Sequence, residues 1–128
     1  MARKIFKKPI NEGADFAYEA TLRDLKKQPV PAAAFTAITL VLHDGTGTIV
    51  NSVGPAPVSI FNVGRGSVDA TTGKLTITFT AGDAVIVNDA NLYEKRVALI
   101  AFDYNTPGGV RHGNHEVEFR VRNLVRVP

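Results

Sequence analysis

The clearest pattern in the chain is an alternation of apolar and charged residues in its last quarter. From Glu116 onward, every second position is apolar as far as Val121, so one face of an extended segment can enter a core while the other stays solvated. An apolar run from Arg96 to Tyr104 precedes it, with a Pro-Gly-Gly turn between the two runs. The pattern predicts a β-hairpin with arms Arg96 to Tyr104 and Glu116 to Val127.

The same period of two recurs upstream. It is clear from Asp15 to Arg23, from Ile38 to His43 and from Leu75 to Thr80, and each of these runs predicts a strand. The remaining predicted elements are short strands at Ile49 to Val53 and Val58 to Phe61, a glycine-rich loop from Asn62 to Gly66, and single helical turns within Ala32 to Ala37 and around Ala84 to Val87. About seven short strands separated by turns predict an all-β fold, a single antiparallel β-sandwich.

The terminal hairpin is expected to lie centrally in its sheet. Ala98 to Phe102 is apolar on both sides of the pleat, which is typical of a strand covered on both faces or flanked by a partner subunit.

Length and composition predict one domain. The chain has 128 residues, 45% of them hydrophobic and 21% charged, which is enough to bury a core. Residues 1–13 carry basic residues, a proline and an Asn-Glu-Gly turn, and we interpret them as an amino-terminal arm or edge strand preceding a sandwich domain at 14–128.

The sequence predicts neither a signal peptide nor disulfide chemistry. It has no cysteine, so neither disulfides nor thiolate sites are expected. The basic start is not followed by an apolar segment, and no stretch approaches the roughly 20 apolar residues that span a bilayer. We expect an intracellularly made protein that does not enter a membrane.

The chemistry-bearing residues form no recognisable catalytic or metal motif. His112 and His115 are three positions apart, and His43 is the third histidine, but this spacing on a strand or turn does not place both rings on one side, and we expect the pair at a hairpin tip. Gly64-Arg65-Gly66-Ser67 has neither the lysine nor the glycine spacing of a phosphate loop. The aspartates fall mostly where strands end, where short carboxylates bond nearby amides. We therefore expect no enzyme activity, no cofactor and no metal.

Basic residues gather near both ends of the chain, where the net charge of +3 is concentrated. They suggest contacts to phosphates or to an acidic neighbouring protein. We favour protein docking over nucleic acid because no RNA-binding aromatic motif or helical reader is present and Glu116 and Glu118 interrupt the second cluster. The candidate interface residues are Arg3, Lys4, Phe6, Lys7, Lys8, Arg120, Arg122 and Arg126.

From about Asp15 onward the chain resembles small virion proteins of tailed bacteriophages. The segments that carry the resemblance are Phe16 to Asp24, Ala37 to Asp44, Thr48 to Ser52 and His115 to Leu124. The resemblance implies an immunoglobulin-like sandwich and a non-enzymatic structural protein of the virion, made in the host bacterial cytoplasm. It implies many symmetric copies contacting other virion proteins, either portal or neck proteins at the head–tail neck or collar, or the major capsid protein if the chain is a decoration or cement protein of the head shell.

A free-standing binding module is the other function class that the sequence leaves open. In that case loops Asn62 to Ser67 and Asn105 to His115 recognise a carbohydrate or protein ligand. Exposed aromatic residues would then be expected, and the candidates are Phe61, Tyr93 and Tyr104, although such residues more often belong to a core or a strand edge.

Overall fold

The computed structural model describes residues 4–5, 9–50, 53–54, 56–86 and 90–124. Within these residues the chain is all-β, and single 3-10 turns occur at Ala32–Ala34 and Ala81–Ala84. The strands are β1 (Lys4–Ile5), β2 (Ile10–Asn11), β3 (Phe16–Ala20), β4 (Phe35–Asp44), β5 (Val58–Ser59), β6 (Gly66–Val68), β7 (Leu75–Phe79), β8 (Tyr93–Thr106) and β9 (Gly109–Arg122).

The strands form two sheets that face each other as a sandwich. One sheet has the order β1-β9-β8-β4-β5, and the other has the order β3-β7-β6. This arrangement matches the immunoglobulin fold, in which strands B, E and D of one sheet face C, F and G of the other. The predicted immunoglobulin-like all-β sandwich is therefore confirmed, and β3 to β9 supply seven strands over the described part of residues 14–128.

The amino-terminal segment lies along β9. Both β1 and β2 pair with β9 in parallel, with Lys4 opposite Val117 and Ile10 opposite Val121. The larger sheet is thus mixed rather than purely antiparallel. Backbone bonds beyond β2 continue this attachment, since the Glu12 amide donates to the Arg122 carbonyl and the Gly13 amide donates to the Ala84 carbonyl.

Aromatic rings fill one end of the core between the sheets. Phe16 and Phe79 stack with centroids 4.9 Å apart, and Phe119 meets them at 5.0 and 5.4 Å. These three rings come from both sheets, so they join the layers as well as exclude water. The residues predicted to alternate inward on β4, β7 and β9 are all buried: Ile38, Leu40, Leu42, Leu75, Ile77, Phe79, Val117, Phe119 and Val121.

The terminal hairpin is confirmed and is longer than the sequence indicated. β8 and β9 stay in register from Tyr93 opposite Arg122 to Thr106 opposite Gly109, so Pro107 and Gly108 make the turn. β8 lies between β9 and β4, which confirms its central position. The second arm ends at Arg122, and Val127 lies outside the described residues.

Several smaller predictions are wrong. The expected partner strand at Ile49 to Val53 is reduced, in the described residues, to one bridge between Ile49 and His43. The helical turn expected at Ala84 to Val87 forms instead at Ala81–Ala84, because the Asp83 carboxylate and the Thr80 backbone close a capping box there. The histidines expected at a hairpin tip belong to β9 itself. Gly66, predicted as the end of a glycine-rich loop, is instead the first residue of β6, a strand that was not predicted.

Candidate protein-binding site

The structure brings Lys4 of the amino-terminal basic cluster to the same edge of the sandwich as Arg120 and Arg122 of the carboxy-terminal one. Lys4 pairs with Val117 of β9, and Asn11 pairs with Arg122, so the arm follows the strand that carries Arg120 and Arg122. Of the other candidate interface residues, Arg3, Phe6, Lys7, Lys8 and Arg126 lie outside the described residues. The division into an arm at 1–13 and a domain at 14–128 stays a prediction.

Arg120 and Arg122 point away from the core because they alternate with Phe119 and Val121. The Arg120 guanidinium carbon lies 5.1 Å from the centroid of the Tyr93 ring, a cation–π arrangement. Beside it, Lys95 Nζ lies 4.0 Å from Glu118 Oε1. This surface mixes both signs of charge, so it is less strongly basic than the sequence cluster indicated.

The outer face of the larger sheet is partly apolar. Val97 and Leu99 of β8 are half-buried there, opposite Glu118 and Glu116 of β9. Ala98 to Phe102 was expected to be covered on both faces or flanked by a partner subunit. Among the described residues the inner face is buried, with Ala98, Ile100 and Phe102, whereas the outer face is only partly covered.

The histidines do not converge. His112 pairs with Asp103 across the hairpin, and its Nδ1 lies 2.5 Å from an Asp103 carboxylate oxygen at the surface. His115, an odd number of residues away, faces the other side, where its Nε2 lies 2.6 Å from the Tyr18 hydroxyl. Burial raises the pKa of Tyr18. Within the described ranges, no group of three or more His, Cys, Asp or Glu residues is arranged to hold a metal ion.

The loop aspartates act as predicted, as turn formers. Oδ1 of Asp44 accepts the amides of Thr46 and Thr48 and also the Thr46 hydroxyl at 2.7 Å, and Oδ1 of Asp69 accepts the amides of Thr71 and Thr72. The Thr46 hydroxyl is the main cause that lowers the pKa of Asp44, and the Thr72 amide is the main cause for Asp69. These carboxylates stabilise turns.

Buried charges at the end of the sandwich where β8 begins are also structural. The Asp83 carboxylate is fully buried. Its Oδ2 accepts a hydrogen bond from Arg65 Nη1 at 2.5 Å and another from the Thr80 amide nitrogen at 2.7 Å. Arg96 is buried and donates to the Val85 carbonyl at 2.7 Å and to Glu94 Oε1 at 3.0 Å. Arg65 of the glycine-rich loop therefore fastens that loop to the turn after β7 instead of facing a ligand.

The turn from Asp24 to Gln28 and the tip of the β8–β9 hairpin meet at the other end. Asp24 Oδ1 accepts the amides of Lys26 and Gln28, each at 2.9 Å, and the Asp24 amide donates to the Gln28 carbonyl. This closed turn carries Leu25 with 80% of its surface exposed. We name Arg23, Leu25, Lys26, Lys27 and Arg111 the basic tip.

Two clefts flank the basic tip. One lies between the turn and the hairpin tip, where Leu25 and Lys26 face Tyr104, Pro107 and Arg111. The other lies toward β9 and is lined by Thr21, Arg23, Lys27, Phe102, Asn114 and His115. The sequence pointed to the hairpin side of this region, the segment Asn105 to His115, but not to the turn from Asp24 to Gln28, because charges in a proline-containing turn are typical of any solvated loop.

The aromatic candidates for a ligand-binding module form no exposed cluster. Tyr104 is buried in the core, and Phe61 lies half-buried against Phe35, with ring centroids 6.3 Å apart. Tyr93 is 39% exposed beneath Arg120. The interpretation as core residues is confirmed for Tyr104, and Phe61 packs against the core, whereas Tyr93 is exposed at the first residue of β8.

Comparisons with known proteins give a structural likeness but no family. Among the described residues, no helix is long and apolar enough to cross a membrane. No protein-family model matches the chain, and no curated protein matches it. Among solved structures, the chain is similar to the N-terminal domain of phage TP901-1 ORF48, with 13% sequence identity and a TM-score of 0.48 over 95% of this chain and 84% of that one. At these values the likeness identifies no family and carries no conclusion about function.

Proposed function

We propose that this chain is a non-enzymatic structural protein of a tailed bacteriophage virion. In this proposal many copies assemble at the head–tail neck or collar, where the amino-terminal arm and the strand edges contact other virion proteins. The sequence resemblance of the segments from Phe16 to Leu124 supports the class of protein, and the geometry of the arm supports the mode of assembly.

The observation that carries the proposal is the attachment of the arm to β9. Each of β1 and β2 contributes two residues to the parallel pairing, on either side of residues 6–8. Such short pairing at a sheet edge is readily replaced by pairing with the edge of another subunit, since the same hydrogen bonds form in either case. A rigid sandwich with an exchangeable edge segment suits a symmetric assembly.

An edge of the smaller sheet supports the same mode of assembly. β3 ends the smaller sheet and pairs on one side with β7, and Ala17 and Glu19 on its outer face are exposed. An edge strand of five residues offers backbone groups to a neighbouring chain, while an exposed charge such as Glu19 limits unspecific pairing.

Deletion of residues 1–10 tests the proposal. We expect the shortened chain to keep a cooperative thermal melt but to lose incorporation into the particles that carry this protein. A chain in which residues 1–10 are replaced by a Gly-Ser segment of equal length is the matched control, and we expect it to fail in the same way. Normal incorporation of both variants would contradict a role for the arm.

Electron cryomicroscopy of the particle tests the location. Copies in a ring at the portal vertex would support the neck or collar role, whereas copies spread over the shell would show a decoration or cement protein instead. Absence of the chain from purified particles would overturn the virion proposal.

A further inference from the structure

In the basic tip, the apolar side chain of Leu25 is exposed to solvent on a turn that is fixed by hydrogen bonds. Leu25 is 80% exposed, yet both neighbouring amides of the turn, those of Lys26 and Gln28, are bonded to the Asp24 carboxylate. The Arg23 guanidinium also donates to the Lys27 carbonyl at 3.1 Å. A turn fixed in this way loses little conformational entropy when it binds.

The backbone of the same turn is strained at a lysine. Lys27 has a φ of 63°, in the left-handed region where a side chain with a Cβ is disfavoured and glycine or asparagine is common. Strained residues concentrate at ligand-binding and other functional positions. A lysine at this position keeps a positive charge where a less strained residue would serve the turn as well.

The charge at the tip is one-sided. Arg23, Lys26, Lys27 and Arg111 are all exposed, and in the described lining of the two clefts the one acidic residue is Asp24. Its carboxylate already accepts two backbone amides, which partly offset its negative charge. The tip therefore presents four cationic side chains around Leu25, next to a cleft that contains His115 and Asn114.

We propose that the basic tip binds an acidic segment of another protein, with an apolar side chain of that segment against Leu25 and its carboxylates beside Arg23, Lys26, Lys27 and Arg111. The inference rests on the proposed function as an assembly subunit and names a surface and partner chemistry for it. Opposite charges around a central apolar contact give both attraction and register at a protein interface.

The apolar centre favours a protein partner over nucleic acid. The aromatic residues beside the tip, Phe102 and Tyr104, are buried, so they offer no exposed ring on which bases could stack, as single-stranded nucleic acids require. Phosphate contacts alone would need the charges but not an exposed leucine at their centre. Leu25 is explained by an apolar side chain of a partner.

Selection from a displayed library of random 12-residue peptides on the full chain tests the proposal. We expect enriched peptides to contain several Asp or Glu residues around a large apolar residue. Their binding, followed by fluorescence anisotropy, should weaken as salt rises. Leu25→Ser and Lys26→Gln should each reduce the affinity by roughly tenfold, the size of loss found for interface residues that contribute measurably without being hot spots.

Two further variants separate binding from folding. Lys27→Asn removes a charge while relieving the strained φ, so weaker peptide binding by this variant cannot be attributed to unfolding. Lys95→Gln is the matched control, because it removes one lysine charge from the outer face of β8 and should leave peptide binding unchanged.

Each outcome decides the proposal. Enrichment of acidic peptides that all tip variants bind less well supports it. Failure to enrich acidic peptides, or equal binding by Leu25→Ser and the parent chain, overturns it, and so does tip-dependent binding of a labelled DNA duplex without acidic peptides. If deletion of residues 1–10 abolishes incorporation into particles while the tip variants incorporate normally, the proposed function stands and this inference fails.

Discussion

Gly113 of β9 lies directly opposite Phe102 of β8, and the Phe102 ring occupies the space that a side chain at Gly113 would need. A Cβ at this position would lie 2.3 Å from Phe102 Cζ, far inside van der Waals contact. The glycine between the histidine residues of His112-Gly113-Asn114-His115 is therefore required for packing of a core ring.

We expect Gly113→Ala to destabilise the domain by about 1–3 kcal/mol, the usual cost of overpacking, because the Phe102 ring must leave its position. Thermal unfolding followed by circular dichroism measures the change. Gly45→Ala is a suitable control, since a Cβ there meets Lys95 at an ordinary 3.6 Å. Equal melting temperatures for the two variants would contradict the assignment.

Replacement of Phe79 tests the aromatic contact between the sheets. Phe79 is fully buried and touches rings from both layers, so Phe79→Ala should lower the free energy of unfolding by about 3–5 kcal/mol through lost burial and the cavity left behind. Urea denaturation gives the value. Val85→Ala is the control, and it should have little effect because this side chain is 51% exposed. A parent-like urea midpoint for Phe79→Ala would show that Phe79 is not part of the core.

The turn aspartates make stability depend on acidity. Folding lowers the pKa values of Asp44 and Asp69 below their ordinary value of 3.8. The stability that these ionised carboxylates contribute is therefore fully present above the unfolded pKa of about 4, and it is lost as the pH falls through the lower folded pKa values. We expect the variant carrying Asp44→Asn and Asp69→Asn to lose less stability than the parent between neutral pH and pH 3.

Melting temperatures across this range provide the measurement, with Lys95→Gln as a control that removes no carboxylate. The expectation fails if the parent and the doubly substituted chain lose stability in parallel as the pH falls.

The strained turn gives a prediction of the opposite sign. Lys27→Asn should stabilise the fold by about 1 kcal/mol, because asparagine adopts a φ of 63° at lower cost than lysine. Lys26→Asn makes the same change in charge one residue earlier, outside the left-handed region, and should not stabilise. If both variants differ from the parent by the same amount in melting temperature, the loss of charge and not the relief of backbone strain is responsible.

Much of the sandwich follows from local pattern. The inward residues of β4, β7 and β9 are visible as an alternation with period two because each strand buries one face. β6 was missed because Gly66 looks like a loop residue, whereas it is needed for the close approach of the Ile60 carbonyl, 2.0 Å from where a Cβ would lie. A tertiary contact of this kind leaves no local signal.

The candidate site was less predictable than the fold. The basic residues of the arm and of β9 could be identified from the sequence, but the placement of Lys4 at the edge that carries Arg120 depends on parallel pairing across more than a hundred positions, between Lys4 and Val117. The basic tip depends on a positive φ at Lys27 and on which loop meets the hairpin. No local pattern encodes either of these features.

The parallel pairing of the arm with β9 also determines how the domain carries load. Tension applied through the chain before Lys4 and after Leu124 pulls β1 and β2 in one direction and β9 in the other, along the strand axes. The interstrand hydrogen bonds that join β1 and β2 to β9 are then sheared together instead of being peeled apart one at a time. The edge that we propose for assembly is thus also the first part of the domain to resist stretching.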